Sequence, residues 1–108
     1  MNGGRWLPIR YREVWDVPRI FLVARGDNLL LFDCPFDEET EYYPDLYHVY
    51  LMPPLTEQEL TGSWGNLAGR ATEHLADVPI ARVKFDPSIR QSVDAAILDE
   101  LLARKAAG

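Results

Sequence analysis

Apolar positions follow two rhythms along this chain. Up to residue 52 they alternate or gather in short runs, and after residue 55 they recur mainly at helical spacing. The centre of the first region is RIFLVARGDNLLLFDC, residues 19–34, with two apolar runs hinged on Gly26-Asp27-Asn28. Residues 20–24 and 29–32 are short, rich in branched and aromatic side chains, and separated by turn formers, so they predict a β-hairpin. Ile20, Leu22 and Ala24 point to one side and Phe21 and Val23 to the other. With both sides apolar, the hairpin belongs in the middle of a sheet covered at least in part on two faces.

Strands are expected on either side of it. From Trp6, residues Leu7, Ile9, Tyr11, Glu13 and Trp15 share one face, and Arg10, Arg12, Val14 and Asp16 share the other. That pattern, with Pro8 near its start, predicts an outer strand with a solvated side. Pro35 closes the hairpin's second strand, and residues 36–44 carry too much like charge for anything but a loop. Residues 46–52 form the fourth strand, stopped by Pro53-Pro54.

Thr56 and Glu59 then form a capping box, bracketed by Leu55 and Leu60 as a hydrophobic staple, so a helix starts at Glu57. Gly62 should break it. Trp64, Leu67, Ala68, Ala71 and Leu75 recur on one stripe and predict a second helix over 64–76, with His74 in its last turn. A fifth strand is expected over 80–85. A final helix is expected over 87–105, capped by Asp86-Pro87, with Ile89, Val93, Ala96, Ile97, Leu98 and Leu101 inward and Glu100 paired to Arg104. The sum is one α+β domain over residues 1–108: an antiparallel meander of four strands plus a fifth, with two main helices from the C-terminal half packed on one face. A four-stranded half-barrel fits the same pattern.

Composition supports a core without staples, since 47% of the 108 residues are apolar and twelve are aromatic. Cys34 is the single cysteine, so no disulfide framework exists, and its place at a strand end suits a buried small hydrophobe. No signal-peptide pattern and no apolar run of membrane-spanning length is present, which points to the cytoplasm and away from membranes. The net charge of −6 arises in residues 33–59, which hold eight acids and no Lys or Arg. Nucleic acid is therefore not an expected partner, because backbone binding needs a basic face.

The candidate chemistry lies in residues 33–50, with six carboxylates, five aromatics and no positive charge. Phe36, Asp37, Glu38, Glu39, Glu41, Tyr42, Tyr43 and Tyr47 would make an acidic-aromatic surface for a basic protein partner or a second copy of the chain. The plainer account is a solvated loop whose tyrosines fold back on the sheet. Arg10, Arg12 and Arg19 are near enough in the expected fold to neutralise the loop internally. A metal set of Asp33, Asp37, Glu38 and His48 is the alternative, but DCPFDEETE lacks the alternate acids and sixth-position Gly of a Ca²⁺ loop. Zinc is disfavoured because one Cys and two His far apart do not spell a structural site.

Cys34 with His48 or His74 is a poor nucleophile pair, since Asp33 disfavours a thiolate. Residues 62–66, GSWGN, lack the remainder of a P-loop and serve as a helix break. Trp6, Trp15 and Trp64 are expected in the core and not around a ligand. The functional expectation is thus an accessory or interaction module presenting the 36–50 surface, with no cofactor and no assigned catalytic residue. The competing expectation is an enzyme-like domain that binds a small molecule or metal at the end of the third strand.

Overall fold

The hairpin turns where its glycine stands. Gly26 adopts φ +61° and Arg25 pairs with Asn28, leaving a two-residue loop. Positive φ at the first loop position is what a type II′ hairpin turn needs, and glycine takes it without steric cost. The computed structural model describes residues 6–15, 17–42, 44–87 and 91–107. It is an α+β structure with five antiparallel strands in the order β2-β3-β4-β5-β6, running Arg10–Trp15, Val17–Arg25, Asn28–Asp33, Leu46–Met52 and Glu73–Pro79. Among the described residues the sheet is open, with β2 and β6 at its two edges.

The outer strand expected from Trp6 onward is interrupted at Ile9. Its first part, β1 (Trp6–Pro8), pairs with β7 (Ser92–Asp94) in a separate two-stranded sheet, and Ile9 N–H donates to the Gln91 carbonyl. Leu7, Ile9 and Tyr11 nevertheless pack on the core as their alternation predicts.

The sheet's two faces are covered differently. On one, Phe21, Val23, Leu30, Phe32, Tyr47, Val49 and Val78 meet Ile97, Leu98 and Leu101 of the C-terminal helix α2 (Ala95–Ala107). Phe21 and Phe32 stack at 4.7 Å, with Tyr47 edge-on to both. On the other face, Leu22, Leu31 and Met52 lie under Trp64 and Leu67, with Leu55 and Leu60 alongside.

That second cover begins with α1 (Glu57–Thr61), whose capping box is present: Thr56 Oγ1 accepts from Glu59 N–H, and Glu59 Oε1 accepts from Thr56 N–H. The helix expected over 64–76 does not form. Its first part is a loop and a 3₁₀ turn, Leu67–Arg70, and its last part is strand β6. Gly62, Gly65 and Gly69 each weaken a helix by about 1 kcal/mol relative to Ala, and strand pairing to β5 takes over once Thr72 N–H reaches the Leu51 carbonyl.

Two more boundaries differ. Residues 80–85, expected as a strand, hold a 3₁₀ turn (Ile80–Arg82) and an isolated bridge from Phe85 to Val93. The final helix starts at Ala95 instead of Pro87, because Asp94 Oδ1 accepts from Ala96 N–H while Ser92–Asp94 pairs with β1. Val93 is consequently buried from a strand and Ala96 is exposed. Ile89 lies outside the described residues. The Glu100–Arg104 pair is present at 3.3 Å, and Arg82 also reaches Glu100 at 2.6 Å. No helix among the described residues is long and apolar enough to cross a membrane.

Candidate functional site

The α1–3₁₀ cover protects only part of its face. Antiparallel register places Arg12, Ile20, Asp33, His48 and Asp77 in one row across the sheet, one per strand. The neighbouring row runs through Arg10, Leu22, Leu31, Tyr50 and His74. Cross-strand partners share a face, so ionisable groups distant in sequence become neighbours there.

His74 and Asp77 could not both point to this face from a regular strand, since residues three apart face opposite ways. A bulge makes it possible. Val49 pairs with Ala76 and Tyr50 with His74, so Leu75 is the extra residue, and its side chain packs in the helix-covered core.

Asp77 Oδ1 consequently lies 2.8 Å from His48 Nδ1 and 2.8 Å from His74 Nε2. The hydrogen bond from His48 is the main reason the Asp77 carboxyl is held below its usual range; burial opposes it, and the His74 bond and both imidazole charges add to it. The Tyr50 ring sits 5.2 Å from that of His74. Its phenol is raised by burial and then by the charges of Asp33 and Asp77.

Asp33 behaves in the opposite way to Asp77. Burial lifts its carboxyl above the usual range, His48 pulls it back, and Glu13 raises it further. Asp33 also lines a groove of about 460 Å³ together with Arg12, Glu13, Ile20, Pro35, Phe36, Ser63, Trp64 and Gly65. Arg12 is held over the Trp64 ring at 4.5 Å and donates to the Leu60 carbonyl at 2.7 Å. Glu13, next to it in the chain and also lining the groove, has φ +44°, a strained conformation for a residue with a Cβ.

The acidic-aromatic surface is only partly assembled. Phe36 and Tyr42 are exposed, at 47% and 59%, and Asp37 bridges to Tyr42 across a tight turn in which Glu41 takes φ +60°. Tyr47 does not belong to this surface. It is wholly buried and donates to the Pro18 carbonyl at 2.6 Å, because alternation along β5 turns it toward Phe21 and Phe32. Tyr43 lies outside the described residues.

Among the described residues, Glu38, Glu39 and Glu41 enter no ion pair, while Asp37 accepts from Glu39 N–H. Arg10 turns instead to Glu57, at 3.8 Å, and Arg12 to Trp64. Arg19 is buried against Cys34 Sγ and the Pro44 carbonyl. Cys34 itself is buried and donates to the Pro44 carbonyl, as a structural thiol would.

The metal set read from sequence is not brought together as a unit. Asp33 and His48 are cross-strand neighbours, whereas Asp37 and Glu38 belong to the turn beyond β4. Among the described residues, the His/Cys/Asp/Glu group whose ligand atoms converge is His48, His74 and Asp77, all within 4.8 Å of one another. Distance along the sequence therefore does not keep the two histidines apart in the fold. A bulge cannot be read from EHLADVP alone, and the helix expected over 64–76 would not set His74 beside Asp77 in a strand row.

Fold and site together define a small α+β sheet domain with one face closed by a helix and the other left partly open over a histidine–carboxylate cluster. No protein-family model and no solved structure matches the chain. Among curated proteins, it is similar to the phosphopantothenoylcysteine decarboxylase HAL3 of Malus domestica, 31% identical over 80 residues. The alignment takes in 74% of this chain but 36% of that protein, so the chain spans little more than a third of its relative.

Proposed function

We propose that this chain is an enzyme-like domain that binds a small molecule in the groove between Trp64 and Phe36, with Asp33 as its proton-exchanging group. The observation that carries this reading is Asp33 itself, a half-buried carboxyl with a raised pKa in a groove of ligand size, paired across the strands with His48. Ile20, Pro35, Phe36 and Trp64 offer apolar walls, and Arg12, Glu13 and Ser63 offer polar contacts. This lining suits a compact molecule, partly apolar, with an anionic or hydrogen-bonding end directed at Arg12. The similarity to HAL3 makes phosphopantothenoylcysteine a reasonable first probe of that kind.

Amide NMR titration with phosphopantothenoylcysteine and a panel of small carboxylates tests this. Shifts should centre on Ile20, Asp33, Phe36 and Gly65, and disappear in Ser63→Trp, which fills the groove. Shifts elsewhere, or none at millimolar ligand, would overturn it.

A second reading has its own support. Phe36 and Tyr42 are exposed beside Glu38, Glu39 and Glu41, so the 37–42 turn presents rings and uncompensated negative charge to a basic protein or a second copy. Pull-downs with Phe36→Ser plus Tyr42→Ser should lose partners that the wild type retains. Capture of the same partners by both proteins would remove the turn from consideration.

A further inference from the structure

We propose that His48, His74 and Asp77 form a binding site for a divalent transition-metal ion of the zinc type, held through His48 Nδ1, His74 Nε2 and Asp77 Oδ1. Two imidazole nitrogens and one carboxylate oxygen suit zinc and its neighbours, whereas Mg²⁺ and Ca²⁺ prefer all-oxygen shells. Three protein donors are also the number found in zinc sites that leave a position open to water or a substrate.

The geometry is close to what such an ion requires. Zn–N and Zn–O bonds of about 2.0–2.2 Å set tetrahedral donors roughly 3.3 Å apart. Here the carboxylate oxygen is 2.8 Å from each imidazole nitrogen, and all three donor atoms lie within 4.8 Å of one another. For one cation to take the place of the imidazole protons, the two oxygen–nitrogen separations open by about half an ångström and the two nitrogens, up to 4.8 Å apart, close by up to about 1.5 Å. These side chains stand on an open surface, with His48 36%, Asp77 43% and His74 50% exposed, so solvent leaves room for the adjustment, and the Tyr50 ring beside His74 is the neighbour that moves with it.

Position along the chain supports the same conclusion. The bulge at Leu75 is what turns His74 onto the face of Asp77, and bulges commonly re-aim a side chain next to a functional site. Asp33, opposite His48 on β4, adds a second carboxyl to the neighbourhood. A plain His–Asp–His hydrogen-bonded bridge tying β6 to β5 would give the same distances. The two differ in whether a metal binds.

The ion could bind without any molecule in the groove, and the groove without the ion, so each can fail alone. The test is calorimetric titration of untagged, chelator-treated protein with ZnCl₂ and, separately, MgCl₂, alongside thermal melts. One equivalent of Zn²⁺ should bind at micromolar Kd or tighter and raise Tm by at least about 5 °C at a hundredfold excess over Kd, with no response to Mg²⁺. His48→Ala and His74→Asn should each weaken Zn²⁺ at least tenfold, with unchanged far-UV circular dichroism confirming that they fold. Co²⁺ should give visible d–d bands that are lost in both variants. Ser63→Trp should block the groove and leave Zn²⁺ affinity intact. Absence of Zn²⁺ binding below millimolar, or affinity indifferent to both histidine variants, would overturn the proposal.

Discussion

The two faces of the five-stranded sheet are built from the same strands, yet one is a sealed core and the other an incomplete one. On the helix-covered face Phe21, Phe32, Tyr47 and Phe85 pack ring against ring, and the row through Val23, Leu30 and Leu51 reaches a charged residue only at the edge, where Glu73 pairs with Lys105 of α2. On the opposite face Leu22, Leu31 and Met52 are buried, but the rows run from Arg10 and Arg12 at one edge, through Asp33 and His48, to His74 and Asp77 at the other. A thirteen-residue helix closes the first, whereas a five-residue helix and a 3₁₀ turn reach across only part of the second. Stability is concentrated where burial is complete, and chemistry where it is not.

The sharpest way to break that contrast is to remove a ring from the sealed face. Phe32→Ala leaves a cavity beside Phe21 and Tyr47 and should cost about 3–5 kcal/mol in urea unfolding. A loss below about 1 kcal/mol would mean that this face is less tightly packed than the burial of Phe32 requires.

Tyr47→Phe is the next largest. It keeps the ring but leaves the buried Pro18 carbonyl without its donor, for a loss of about 1–2 kcal/mol. The cover of the open face can be weakened separately. Thr56→Ala removes the reciprocal cap of α1 and should cost about 1 kcal/mol. Amide exchange should speed up in residues 57–71 before it changes in β3 or β4, because a short helix depends heavily on its cap.

Sequence resolved the sealed face far better than the open one. Alternation and turn chemistry located the hairpin and 46–52 as strands, and the capping box located Thr56, because those signals are local and agree with the tertiary context. The stripe at Trp64, Leu67, Ala68 and Ala71 correctly marked residues that pack inward, but three glycines turned a helical period into a loop and a 3₁₀ turn. Leu75 matched that stripe and went to the other face. The cluster was hidden for the same reason. His48 and Asp77 meet through strand register, and His74 joins them through a bulge, and neither leaves a spacing that can be read from the chain.

The smallest effect separates two carboxylates in one row of the open face. Asp33 has a raised pKa from burial, so ionising it opposes folding; Asp77 has a lowered one from its histidine bonds, so ionising it favours folding. With a chelator present, Asp33→Asn should therefore raise Tm at pH 7. The gain should shrink as pH falls through the raised folded value and vanish below the ordinary carboxylate value of about 3.9. Asp77→Asn should lower Tm at pH 7, and that loss should fade only as pH falls through the depressed folded value of the wild type. Both shifts are modest, because each group keeps contact with water and solvent screens its interactions. Their opposite signs are the measurable point. If both variants shift Tm the same way across that range, Asp33 is solvated like Asp77, and the groove loses its proton-exchanging group.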